Sequence, residues 1–192
     1  MSNKKIAMSD VERWSNPESY SETWNSRTKL LASLVDENKT VIEFGAGMNP
    51  ISEYLPESNK CMITDFVDKG DIKYAKYDLN AHNMIDFGRY DYAVFSGVLE
   101  YIVDLPRKLR FVSDRCQNIV ASYSTLDAYP KYREEHGWVN SYTSDQFIGL
   151  FHDARMRMVN CISWRQSYTR PNGTEFDIHQ HIYKFTKDLQ SG

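Results

Sequence analysis

No segment of this sequence holds the roughly 20 consecutive apolar residues that a membrane-spanning helix needs, so no such span is expected. Cysteine is scarce. Cys61, Cys116 and Cys161 stand far apart, and without a CxxC pair neither a zinc ribbon nor a dithiol redox motif is present; no metal site is expected. An odd number of thiols, with Cys61 and Cys116 at the starts of predicted strands, suits buried free cysteines in a reducing compartment. Basic excess is missing as well. Net charge is -3 and the isoelectric point about 6.0, whereas a duplex-binding domain usually carries a basic stripe. The densest basic group, Arg107, Lys108, Arg110 and Arg115, reads as a solvated helix face, and a nucleic-acid substrate is disfavoured. Repeats and low-complexity tracts are absent, and the opening Met-Ser-Asn-Lys-Lys leads into polar sequence without the apolar core of a secretory leader. The expectation is a soluble, cytoplasmic protein.

What is present is ordinary globular material. Hydrophobic residues make up 41% and charged residues 26% of 192, which fits a single domain, 1–192, with a proper core. Aromatic content is 14%, with 13 Tyr and 4 Trp; it suits a grip on a flat or polyhydroxylated ligand and equally an aromatic core.

After a polar and aromatic segment, 1–26, Leu30, Leu31, Leu34 and Val35 recur at helical spacing and predict a helix over 27–36. Short β-branched runs then alternate with helical stretches. Strands are predicted over 40–44, 60–65, 73–77, 90–96 and 118–123. Helices are predicted over 51–55, with Pro50 in the first turn, and over 98–116, broken before Pro106. A polar and aromatic loop covers 124–142, and Ser144 then reads as the N-cap of another helix. Two alternating segments, 155–168 and 175–185, flank Arg170-Pro-Asn-Gly173, whose Asn-Gly pair is a hairpin signal. Strands alternating with helices imply an α/β fold, doubly wound around a mostly parallel sheet of seven strands, the last two an antiparallel C-terminal hairpin.

The informative motif is Val41-Ile-Glu43-Phe-Gly45-Ala46-Gly47-Met-Asn-Pro50. Glycines after a buried strand let backbone approach a ligand closely, at the strand end where α/β sheets bind cofactors. Two features argue against a dinucleotide: Pro50 stands where a third glycine belongs, and Glu43 would repel a pyrophosphate while serving an ammonium. Asp65 ends the second strand, about 20 residues past the glycine loop, where ribose hydroxyls are held in this topology. Asp78 and Leu79 follow the third strand, where an acid accepts from an adenine amino group and apolar neighbours pack on the ring.

Together with Asp91-Tyr-Ala-Val-Phe-Ser96-Gly97-Val-Leu-Glu-Tyr-Ile102, these segments resemble the class I S-adenosylmethionine-dependent methyltransferases, over about residues 27–186. The resemblance implies a Rossmann-like fold and S-adenosyl-L-methionine as cofactor, with S-adenosyl-L-homocysteine as product. It places Glu43, Gly45, Ala46 and Gly47 at the methionine end, Asp65 and Phe66 at the ribose, Asp78 and Leu79 at the adenine, and Ser96 and Gly97 beneath the sulfonium. Ala46 departs from the Cys or Ser common there, at a position where backbone does the binding. Gly137-Trp-Val-Asn-Ser-Tyr-Thr-Ser144 is similar to a small bacterial-type subgroup, some of whose members are associated with or fused to glycosyltransferases. It implies a small-molecule or glycan substrate and O-methylation of a sugar hydroxyl. Another small molecule, a protein or a tRNA remains an alternative acceptor, and a nicotinamide-type or non-catalytic nucleotide-binding domain the alternative of another class.

A hydroxyl acceptor needs a base within hydrogen-bond reach. His136, in the loop after the fifth strand, ranks first, with Asp127, His179 and His181 behind it; His179 and His181 share one strand face but fall short of the three protein ligands typical of catalytic zinc. Tyr20, Trp24, Tyr123, Tyr129, Arg133 and Trp138 are the candidate substrate contacts, and segment 1–26 is expected to cap the site.

Overall fold

The β-branched and aromatic runs become the strands of one sheet. In the computed structural model, which describes residues 10–68, 70, 74–169, 173 and 175–188, β1 (Thr40–Phe44), β2 (Lys60–Asp65), β3 (Tyr74–Lys76), β4 (Tyr90–Phe95) and β5 (Cys116–Tyr123) run parallel. The hairpin of β6 (Met156–Thr169) and β7 (Glu175–Lys187) joins them antiparallel through β5. The order across the sheet is β3-β2-β1-β4-β5-β7-β6. β1 and β2 keep the bounds expected from sequence. The expected start of the third strand at Lys73, and most of the Arg170-Pro-Asn-Gly173 turn, lie outside the described residues.

Strand alternation divides the core into two layers. Val41, Tyr92, Val94 and Val120 face Leu31 and Ala32 of α2 (Asn25–Ala32), with Trp164 and Ile182 from the hairpin. Ile42, Phe44, Ala93, Phe95 and Ile119 face the other way, onto Leu105, Leu109 and Val112 of α3 (Leu105–Ser113) and Phe147 and Phe151 of α4 (Ser144–Asp153). Parallel strands covered on both faces read as continuous apolar runs, which is why β1 and β4 are legible in sequence. A five-residue helix, α1 (Val11–Ser15), lies ahead of α2.

The helices differ from expectation at their ends. α2 starts at Asn25 and stops at Ala32, after which Leu34 and Val35 close tighter turns onto Leu31 and Ala32, and Asn38 turns the chain at φ 59°. Pro50 is not in a helical first turn; it precedes a single 3₁₀ turn, Ile51–Glu53, with ψ 145°. The 98–116 stretch splits into a 3₁₀ turn, Leu99–Tyr101, and α3, which Asp104 caps with Pro106 in its first turn. Thr143, not Ser144, caps α4, through a capping box with Gln146. The basic cluster is not wholly solvated: Lys108 is buried, and its Nζ donates to the Ala81 carbonyl and lies 2.9 Å from Met84 Sδ. Among the described residues no helix is long and apolar enough to cross a membrane.

Candidate functional site

The carboxyl ends of β1, β2 and β4 open into a cavity of about 220 Å³. Its floor is Gly45, Ala46 and Gly47 after β1, Asp65 and Phe66 at the end of β2, Asp78 and Leu79 after β3, and Ser96 and Gly97 after β4. Its walls are aromatic. All four tryptophans of the chain, Trp14, Trp24, Trp138 and Trp164, line it. Trp14 packs at 5.4 Å from Tyr101 and 5.5 Å from Tyr20, ring centre to ring centre.

The glycine loop is held from below. Gly45 and Gly47 have φ of 67° and 62°, left-handed values that favour glycine. A Cβ on Gly47 would stand 2.5 Å from the Tyr20 ring, so the N-terminal segment lies directly on the loop. The buried Asp65 carboxylate accepts from Gly47 N at 2.8 Å and from Val67 N at 3.0 Å. Ala46 N donates to the Thr64 carbonyl at 3.1 Å. The amides of residues 46 and 47 are therefore already used.

Behind the loop runs a buried chain of polar side chains that sequence reasoning missed. Arg27 of α2 sends Nη2 to the Ser96 carbonyl at 3.3 Å and Nη1 to Gln180 Oε1 at 3.1 Å. Gln180 Nε2 donates to Glu100 Oε1 at 3.1 Å, and Ser124 N donates to the same oxygen at 2.9 Å. All three side chains are buried and line the cavity. Burial disfavours the charge on Arg27, an effect opposed by Glu100 and Glu43. Burial likewise raises Glu100 above the ordinary carboxyl value, against the Ser124 amide and the nearby Arg27 and Arg133. The missing signal for Gln180 was strand parity. His179 and His181 attracted notice by chemistry, while the residue between them points to the opposite face.

The structure brings together most of the residues expected at the site and sets others apart. Tyr20, Trp24, His136 and Trp138 line the cavity with the glycine loop. His136 Nε2 lies 3.1 Å from the Tyr129 hydroxyl, and its carbonyl accepts from Arg13 Nη1 at 2.8 Å, tying loop to N-terminal segment. Glu43 does not line the cavity. It is 1% exposed, its Oε2 accepts from Ile51 N at 2.7 Å, and burial pushes its pKa up to about 8. Tyr123 is a core residue, stacked on Phe147 at 4.2 Å with its hydroxyl on Asn140. Arg133 is a buried pin of the 124–142 loop, donating to the carbonyls of Ser124, Tyr129 and Asn140 and to Ser141 Oγ. Asp127 binds the start of α4 through Ser144. His179 pairs with Ser163 Oγ at 2.8 Å, with the His181 ring tilted beside it at 4.8 Å, outside the cavity lining. Among the described residues no cluster of His, Cys, Asp or Glu has the grouping of a metal site.

No protein-family model and no curated protein matches the chain in sequence. Its fold does match solved structures. It is similar to a 1,6-didemethyltoxoflavin N1-methyltransferase from Burkholderia thailandensis, solved with 1,6-didemethyltoxoflavin and S-adenosylhomocysteine bound (TM-score 0.64, 13% identity, 93% of this chain and 84% of that one). It is also similar to magnesium protoporphyrin IX methyltransferase from Synechocystis, solved with S-adenosylhomocysteine (TM-score 0.61, 10% identity, 92% and 93%). A third is a crystal structure described as an O-methyltransferase from Nostoc punctiforme (TM-score 0.67, 12% identity, 93% and 61%). At these identities the likeness is one of fold: a Rossmann-like α/β sheet.

Proposed function

We propose that the chain is an S-adenosylmethionine-dependent methyltransferase acting on a small acceptor. One observation carries the reading: the glycine loop spends the amides of residues 46 and 47 on Thr64 and Asp65. A phosphate-binding loop keeps such amides free for the phosphate oxygens. The loop therefore suits a cationic nucleoside and is hostile to a dinucleotide diphosphate.

The residues present fit such a group from end to end. Arg27, beside Ser96 and Gly97, would take the α-carboxylate of the methionine moiety, and its buried Nε has no partner among the described residues. Asp65 would face the ribose diol with the lone pairs its two amide partners leave over. Leu79 and Phe66 offer apolar surface and Asp78 an acceptor for the adenine. Glu43 acts one step behind, fixing the 3₁₀ turn that follows the loop. When bound, the cofactor supplies an electrophilic methyl group on a sulfonium. The protein contributes alignment of acceptor, methyl and sulfur, which supplies much of the rate in such a displacement, and a cavity walled by rings instead of water.

For the acceptor, the reading is a hydroxyl of a sugar or glycan, in an enzyme that works with a glycosyltransferase. Two features support it: ring faces against which a sugar or another flat molecule stacks, and the 137–144 segment, whose Trp138 lines the cavity. Residues 10–26 of the N-terminal segment serve as the cap, since Asp10, Arg13, Trp14, Tyr20 and Trp24 all reach the cavity. Calorimetry tests the core of the proposal. S-adenosylhomocysteine is expected to bind and to raise the melting temperature as native-state ligands do, and NAD to do neither; the reverse outcome would overturn it. Label from methyl-labelled cofactor in nucleotide-sugars or oligosaccharides tests the acceptor.

A further inference from the structure

Glu100 lines the cavity with its position fixed and part of its chemistry left over. It is 0% exposed and stands on the 3₁₀ turn after β4, with its own carbonyl tied to Val139 N at 2.9 Å. Oε1 carries both donors, Ser124 N and Gln180 Nε2. Gln180 is locked in its orientation because its amide oxygen faces Arg27. Oε2 is shut off from solvent and has no hydrogen-bond partner among the described residues. A buried carboxylate oxygen without a donor is costly, so it points to a ligand that supplies one. The charged and titratable groups around it come from four places: Arg27 from α2, Arg133 from the 124–142 loop, Tyr101 beside it and Tyr123 from β5. His136, the base expected from sequence, is half-buried nearer the N-terminal segment and shares Nε2 with the Tyr129 hydroxyl.

We propose that Glu100 Oε2 accepts the proton of the methyl-accepting group, an O–H or N–H carried on a ring whose face lies against the cavity's tryptophans and tyrosines. This rests on the methyltransferase reading above. The acceptor heteroatom gives a lone pair to the methyl carbon, and the carbon–sulfur pair stays with sulfur, which becomes a thioether. The proton passes to Oε2, and Glu100 gives it up to water that enters the cavity once the product has left. Gln180 is a positioning residue: its donor holds Oε1 and leaves Oε2 without one among the described residues. Burial raises the carboxyl above its ordinary value, and activity should climb with pH as Glu100 loses its proton.

The test pairs a binding readout with turnover. Protein labelled with ¹³C at glutamate carboxyls and saturated with S-adenosylhomocysteine should show a carboxyl that titrates above the ordinary range and disappears in Glu100→Gln. Removing the Gln180 donor by Gln180→Met should move that titration further up. With methyl-labelled cofactor and catechol, 8-hydroxyquinoline or methyl glucoside as probe acceptor, Glu100→Gln should lose at least about 100-fold in kcat. Its affinity for S-adenosylhomocysteine should change far less than kcat does, and the rising limb of the pH profile should vanish. An ordinary titration for Glu100, a Gln180→Met variant that leaves it in place, or a Glu100→Gln enzyme with wild-type turnover would each overturn the assignment. Silence of every probe while S-adenosylhomocysteine binds would remove the stacked-ring acceptor. Wild-type protein that fails to bind S-adenosylhomocysteine would instead refute the methyltransferase reading itself.

Discussion

Glu43 illustrates how one residue can look like a ligand in sequence and be a strut in space. Its carboxyl is held as the neutral acid by burial, with a pKa near 8 in place of 4.5. Such a group adds stability that is whole below pH 4.5 and is lost as pH climbs through about 8, each tenfold gain in proton affinity on folding being worth about 1.4 kcal/mol. Glu43→Gln keeps the acceptor for Ile51 N and removes the ionisation. The variant is therefore expected to melt close to wild type at pH 5 and above it at pH 8.5, as differential scanning calorimetry at the two pH values will show. Gly97 is the second sensitive position. Its φ is 71°, and a Cβ there would stand 2.7 Å from Arg27 Nη1. Gly97→Ala should cost at least about 1 kcal/mol for the left-handed backbone alone. It should also displace the guanidinium and weaken S-adenosylhomocysteine binding, readable by urea unfolding and calorimetry.

Among the elements, α4 depends most plainly on local chemistry. Thr143 and Gln146 satisfy each other's backbone amides, and Phe147 and Phe151 sit on the inward face. Thr143→Ala removes one side of that capping box and should cost about 1 kcal/mol, a fall in Tm of roughly 2–4 °C for a chain of this size. The 124–142 loop has no helix or strand and depends on Arg133 instead, whose guanidinium reaches three carbonyls. Arg133→Met leaves those carbonyls without their donor. Limited proteolysis should then cut within 124–142 well before wild-type protein is cleaved. If the cleavage rate is unchanged, the loop is held by contacts other than Arg133, such as the Asn140 side chain on the Leu99 and Ile102 carbonyls.

For the whole molecule, the convergence of every tryptophan on one cavity gives a direct optical reporter. Intrinsic fluorescence is expected to change saturably on titration with S-adenosylhomocysteine, and Trp14→Phe to remove part of that change, because Trp14 packs against the Tyr20 ring that lies on the glycine loop.

Sequence alone determined the alternation of strands and helices with its closing hairpin, the glycine loop, and the acids at successive strand ends. These are local or periodic features: β-branched runs, a hairpin pair of alternating segments, glycines where the backbone turns left-handed. Only the tertiary structure decided which polar residues share the cavity. Arg27, Gln180 and Glu100 lie on a helix, a hairpin strand and a 3₁₀ turn far apart in the chain, and nothing in their local patterns marks them. Tyr123 and Arg133 were misplaced for the same reason: their residue types suit a ligand, but strand parity and loop closure turn them into the core. Which face a side chain occupies is set by register and packing across the sheet, and a single sequence carries that information only after it has folded.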